Sequence, residues 1–228
     1  MTGIRYWLQF KKLRLFLAWF GGILLFLCAR TNERSFRLAV PLILAGELIR
    51  VWSLGFLEKK GKKLATNGPF AYVRNPLYVG NFFIGLGVAV AANRFWLIGL
   101  FMIGFVVLYG GTVEREEKDL LRKFGETYSI YVHRVPRFFP RFGAHHDQKG
   151  ISFQWSRLIQ YREYVAVAGL LLFFFVLYLF EEVIRGKEFF GKEKIVLALT
   201  IITISGLIFE WVFREYKKLF GKVRPLSC

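Results

Sequence analysis

The chain has 228 residues, a formal net charge of +17 and a hydrophobic share of 55%, with 26 phenylalanines. An apolar share above the ~45–50% of soluble domains, with charge gathered between long apolar runs, excludes one large soluble core and indicates a polytopic membrane protein. Lys and Arg flank the apolar runs, so the basic excess reads as positive-inside bias and attraction to anionic headgroups, not as a nucleic-acid surface.

In chain order, six spans are predicted: Leu13–Ala29, Leu38–Leu57, Leu77–Ala92, Phe95–Val113, Tyr164–Phe180 and Ile195–Phe213. Some fall short of the ~20 residues of a straight crossing, which snorkelling flanks such as Arg14 and Arg162 offset. The basic N-terminus imitates a signal peptide, but Cys28-Ala29-Arg30 is a poor cleavage site, so a retained first helix is expected. With the N-terminus inside, the outer loops carry few basic residues. Most of the rest fall in the Lys59–Arg74 loop, in Glu114–Arg162 and in the tail after Phe213. Both termini are therefore expected in the cytoplasm. The expected fold is an all-α polytopic helix bundle: a membrane core over 1–140, a cytoplasmic linker over 141–163, and a further helix pair with a basic tail over 164–228.

Glu47 and Arg50 stand three residues apart in the second span, hence on one helical face. A charge there costs roughly 2.5–3.5 kcal/mol on insertion scales, so the two either neutralise each other or border a substrate cavity. After this span, Gly61, Asn67, Gly68, Pro69 and Pro76 break helices and make turns. The third span is glycine-rich, with Gly80, Gly85 and Gly87. A charged helix from Glu114 to Tyr131 is expected to continue out of span four until Pro136 and Pro140 stop it. His133, His145 and His146 lack ligand-spaced Cys or carboxylate partners, so no metal site is expected. Cys28 and Cys228 offer no disulfide framework.

The run Gly68-Pro69-Phe70-Ala71-Tyr72-Val73-Arg74-Asn75-Pro76-Leu77-Tyr78-Val79-Gly80 resembles the G-P-[FY]-x-x-[VT]-R-[HN]-P-x-Y-x-G signature of a membrane methyltransferase superfamily. That superfamily includes isoprenylcysteine carboxyl methyltransferases and phospholipid N-methyltransferases. Glu116-Glu117-x-x-Leu120, Phe124-Gly125-x-x-Tyr128-x-x-Tyr131 and Val135-Pro136-Arg137-Phe138-Phe139-Pro140 follow in the family's order. The resemblance covers about Leu38–Pro140, with its motifs over about 66–140. It implies S-adenosylmethionine as cofactor and a lipid or prenylated small molecule as methyl acceptor at the cytoplasmic face. Carboxyl O-methylation of an isoprenylcysteine-type substrate is the first expectation, and N-methylation of a phospholipid amine the alternative. The cofactor site it implies comprises Arg74, Asn75, Pro76, Tyr78, Gly80, Gly85, Gly87, Glu116, Glu117 and Tyr128. Position 75 is often His in similar carboxyl methyltransferases.

The residue chemistry agrees. Arg74 can grip a carboxylate bidentately, and Glu116 and Glu117 can accept from ribose hydroxyls or an ammonium. Gly85 and Gly87 leave room either for a cofactor or for a neighbouring helix. Tyr78, Tyr128 and Tyr131 are either site residues or interfacial belt aromatics; with Glu47 and Arg50, Tyr131 falls on the substrate side. A carboxylate acceptor needs only orientation, by Arg134 or Arg137. An amine acceptor must lose a proton, for which Glu117 is the candidate base. Two readings of other classes compete: a sterol-reductase-like protein using a nicotinamide cofactor, and a non-catalytic membrane scaffold.

Overall fold

The structure, a computed structural model, describes residues 20–58, 63–140 and 151–185. The predicted sixth span and the beginning of the first lie outside the described residues. The chain divides into two compact units, one ending at Tyr161 and the other beginning at Arg162. The described residues are helical and contain no strand. The first unit holds α1 (residues 20–28), α2 (Glu33–Gly55), a short 3-10 turn (Gly68–Ala71), α3 (Pro76–Ala91), α4 (Phe95–Phe124), α5 (Glu126–Arg134) and α6 (Trp155–Tyr161). The second unit contributes α7 (Glu163–Arg185), a 23-residue helix over the predicted fifth span.

Local chemistry sets the helix starts. Asn32 caps α2: its Oδ1 accepts from the Ser35 N–H at 2.8 Å, and Ser35 Oγ accepts from the Asn32 N–H at 3.1 Å. This reciprocal box satisfies two otherwise orphaned donors. Ser35 Oγ also lies 3.0 Å from the Ala91 carbonyl, at the far end of α3. Pro76 stands at the first turn of α3, where its missing N–H costs nothing. Pro41 lies within α2, which continues through it.

α2 and α3 run antiparallel in close contact, because small residues face each other along the seam. A Cβ built on Gly46 would lie 2.6 Å from the Gly80 carbonyl oxygen, and one on Gly87 would lie 3.0 Å from that of Ala39. Backbone thus packs on backbone, the usual arrangement for small residues between membrane helices. α2 and α4 are long and apolar enough to cross a membrane. The 16 residues of α3 span only about 24 Å at 1.5 Å per residue, short of a ~30 Å hydrocarbon core.

At 30 residues, α4 is about 45 Å long, longer than a ~30 Å hydrocarbon core, and its final third is charged. The sequence predicts one helix through Tyr131. The structure breaks it at Gly125, whose φ of 53° lies in the left-handed region that glycine tolerates. The chain turns there, and α5 folds back so that Tyr128, Tyr131 and Val135 are buried with Leu64, Leu120 and Phe124 packed against them.

Candidate functional site

The site forms where the loop before α3 meets the charged end of α4 and the segment after α5. One backbone bond joins the two motif regions directly: the Arg74 N–H donates to the Pro136 carbonyl at 2.8 Å. This bond brings Arg74 and Arg137 together at Glu117, which is buried on α4 one turn after buried Val113.

Three side chains converge on the Glu117 carboxylate. Arg137 clasps it with both prongs, Nη2 to Oε2 at 2.5 Å and Nε to Oε1 at 3.2 Å. Asn75 Nδ2 donates to Oε1 at 3.0 Å, and Arg74 Nη1 approaches the same oxygen at 3.7 Å. The side chains of Glu117 and Arg74 are only 10% and 12% exposed, whereas that of Arg137 is 46% exposed. The buried pair therefore feels little solvent screening, and Arg137 presents an open edge. One carboxylate faces two guanidiniums, which leaves a surplus positive charge. Arg74 Nε is buried with no hydrogen-bond partner. The Glu117 hydrogen bond and its charge hold the Arg137 guanidinium above its already high pKa.

Two tyrosines of α5 back this cluster. Tyr131 donates its hydroxyl to the Phe70 carbonyl at 2.7 Å, fastening the 3-10 turn of the motif loop to α5. Burial pushes the Tyr128 phenol up, and the nearby Glu117 charge adds to the shift. Burial likewise raises Tyr131, well beyond the usual phenol range. Both stay neutral at physiological pH. The stability they contribute is complete below the ordinary phenol value and is lost progressively as pH rises from there through their elevated values. Tyr131→Phe leaves the Phe70 carbonyl without this donor. It should cost about 1–3 kcal/mol, read as a fall in Tm with helix content unchanged. An unaltered Tm would show that the bond does not fasten the loop.

Beside the cluster, Tyr78 donates to Glu116 Oε1 at 2.8 Å, and its ring meets Tyr109 edge-on at 5.2 Å. Glu116 is exposed. Pro76 is fully buried at the start of α3.

The structure thus brings together Arg74, Asn75, Glu117, Arg137 and Tyr128, with Tyr78, Glu116 and Tyr131 alongside. Other predicted residues are placed elsewhere. Gly80 and Gly87 face α2, where a Cβ would meet the Arg50 and Ile43 side chains, and a Cβ on Gly85 would run into the Phe101 ring of α4. Their small size is used for helix packing. Arg50 donates to Asn81 Oδ1 across the α2–α3 seam, and Glu47 is half-buried on α2. Arg134 is exposed in the last turn of α5. Sequence reasoning missed the Asn81 partner and the Phe70 carbonyl. A polar residue among apolar neighbours in span three was the available signal for Asn81, while a backbone carbonyl carries none. Among the described residues, no group of three or more His, Cys, Asp or Glu could hold a metal ion; His145 and His146 lie outside them.

Residues 37–127 match the family model described as phospholipid methyltransferase. Three curated proteins are similar over part of this chain. The nickel-cobalt-cadmium resistance protein NccN of Alcaligenes xylosoxydans xylosoxydans is 32% identical over 40% of this chain and 43% of its own length. The protein-S-isoprenylcysteine O-methyltransferase of Schizosaccharomyces pombe is 35% identical over 36% of this chain and 35% of its own. The methanethiol S-methyltransferase of Crocosphaera subtropica is 32% identical over 40% and 35%. The chain thus spans less than half the length of each of these relatives. No solved structure is significantly similar to it.

Proposed function

We propose that this protein is a membrane enzyme transferring a methyl group from S-adenosylmethionine to the carboxylate of a lipid-like, isoprenylcysteine-type acceptor at the cytoplasmic interface. The resemblance read from the motifs is borne out by the phospholipid methyltransferase match and by relatives named as methyltransferases. In this reading the chain crosses the membrane six times and has both termini on the cytoplasmic side. The observation that carries the proposal is the clasp of Arg137, Asn75 and Arg74 around Glu117, which draws two motifs distant in sequence into one charged cluster.

The residues fit the donor. Arg74 keeps a buried Nε without a partner, suited to a carboxylate of the methionine moiety. The exposed Glu116 can accept from ribose hydroxyls or the ammonium. Bound S-adenosylmethionine would supply an electrophilic methyl group on a sulfonium. The chain's own work is then to align the acceptor and exclude water, at the edge of a low-dielectric region.

The geometry favours a carboxylate acceptor over an amine. Both Glu117 oxygens are engaged by N–H donors, so Glu117 acts as a positioning residue and is poorly placed to take a proton. The cluster's surplus positive charge and the half-exposed Arg137 suit an anion. An α-carboxyl group titrates near 3.5 and is already ionised at neutral pH.

The test uses full-length protein in lipid nanodiscs with labelled S-adenosylmethionine and a farnesylcysteine analogue. Mass spectrometry should find a methyl ester, and kcat/KM should stay flat from about pH 6 to 9, since a carboxylate needs no base. Label on a phospholipid amine, with a rate climbing with pH, would reverse the choice of acceptor. Tight NADPH binding without S-adenosylhomocysteine binding would replace the reading with a reductase. Binding of neither would leave a scaffold.

A further inference from the structure

The sequence reads 141–163 as a linker, and the family match ends at residue 127. Residues 151–161 are nonetheless packed against the end of α2. The Gly55 carbonyl, at the C-terminus of α2, accepts two donors from this segment: the Gln154 backbone N–H at 3.0 Å and Arg157 Nη1 at 2.7 Å. Arg157 Nη1 also reaches the Ser152 carbonyl at 2.7 Å, closing the segment on itself. α2 has no basic residue in its own last turn. Arg157 therefore supplies, from outside, the positive charge that a helix C-terminus favours.

From there, contacts lead to the donor site. The Phe153 ring fills the space a side chain at Gly55 would need, and it packs edge-on against Phe56 at 5.7 Å. Phe56 in turn fills the space beside Gly68, whose φ of 61° opens the motif loop. Gly68–Ala71 is the turn whose Phe70 carbonyl Tyr131 holds, and Arg74 follows three residues after it. Trp52 and Tyr72, 6.0 Å apart, tie the end of α2 to the same loop.

We propose that Ile151–Tyr161 is a strap that completes the donor site, and that Arg157 is a positioning residue acting on the motif loop through Phe153, Phe56 and Gly68. The proposal rests on the methyl-donor reading above. It extends the functional unit beyond the family-matched segment, because the loop that presents Arg74 leans on an aromatic wedge this strap holds in place. A strap at this point acts on donor binding and leaves the acceptor side, built around the exposed edge of Arg137, unaltered.

The experiment compares full-length wild type with Arg157→Ala, Arg157→Lys, Phe153→Ala and, as control, Ile159→Ala, whose side chain is exposed on α6. S-adenosylhomocysteine affinity and hydrogen exchange at residues 68–73 are measured in nanodiscs, alongside initial rates. Arg157→Ala and Phe153→Ala should weaken S-adenosylhomocysteine and raise the donor KM roughly tenfold, as a small displacement of a binding loop does, with kcat within about twofold. Exchange at 68–73 should quicken in the absence of any ligand, and acceptor KM should not move. Arg157→Lys, which can still donate to the Gly55 carbonyl, should recover most of the affinity. Should Arg157→Ala fail to fold, Phe153→Ala decides the matter by the same readings. Wild-type affinity and exchange in the folded variants would overturn the strap while leaving the methyltransferase reading intact. Failure of the wild type itself to bind S-adenosylhomocysteine would overturn both.

Discussion

Glu117→Ala is expected to destabilise the protein by about 3–5 kcal/mol, the cost of leaving a buried charge without its partner. Arg74 is the reason: with its side chain 12% exposed, it cannot turn to water once the carboxylate is gone. A loss of this size in a chain of 228 residues lowers Tm by roughly 10 °C, measured by thermal denaturation in detergent. Glu117→Gln separates charge from shape, since it keeps the volume and one acceptor oxygen yet leaves both guanidiniums uncompensated. It should lose methyl transfer nearly as completely as Glu117→Ala while unfolding at a temperature between that variant and wild type. Were Glu117→Ala as stable as wild type, the clasp would contribute nothing to the fold. Were Glu117→Gln fully active, the charge would contribute nothing to the site. The neighbouring ion pairs Lys118–Glu114 and Arg122–Asp119 are mostly exposed. Removing them should change stability by no more than about 1 kcal/mol.

Gly46→Ala is expected to act at a distance. The new Cβ would meet the Gly80 carbonyl at 2.6 Å, and the Ile84 side chain and backbone N–H just beyond. Two of these three atoms are backbone and cannot swing aside, so α3 itself must move. Overpacking of this kind costs about 1–3 kcal/mol. Gly80 lies one turn beyond Pro76 in α3, so displacing it carries Asn75 and Arg74 away from Glu117. Activity should therefore fall further than stability does, read as kcat/KM against Tm for Gly46→Ala. The contrast is Gly104→Ala on α4, where nothing lies within 4 Å of the added carbon. It should leave activity unchanged and Tm unchanged or slightly higher, since Ala favours a helix over Gly by up to about 1 kcal/mol. Equal behaviour of the two variants would mean that the α2–α3 seam does not position the site.

Both results follow from one arrangement. A short helix, α3, cannot be held by lipid alone, so its position is set by backbone contact with α2 along the seam and by aromatic contact with α4 through Phe82, Phe101 and Phe105. Its N-terminus then delivers Asn75, with Arg74 beside it, to the charged end of α4. The apolar helices thus hold the charged cluster at the polar end of α4.

Much of this was legible in the sequence. Apolar runs and basic flanks predicted helices near the second to fifth spans, and the described residues are helical there, because a bilayer demands internally satisfied backbone and apolar surface. The motif spacing predicted that Arg74, Asn75 and Glu117 come together, and the structure places them in one cluster. Tertiary structure alone decided what each residue touches. Glu117 is clasped by three donors, a matter of which lone pairs point where, which residue type cannot disclose. Gly80, Gly85 and Gly87 serve helix packing, because a missing side chain makes room equally for a ligand or a helix until a neighbour is seen to fill it. Gly125 ends α4 early because only the packing of Tyr128 and Tyr131 behind the motif loop makes the turn worthwhile. Nothing in the composition of residues 151–161 marked their packing against the end of α2. That packing depends on Gly55, about a hundred residues earlier, and a contact of that range exists only once the chain has folded.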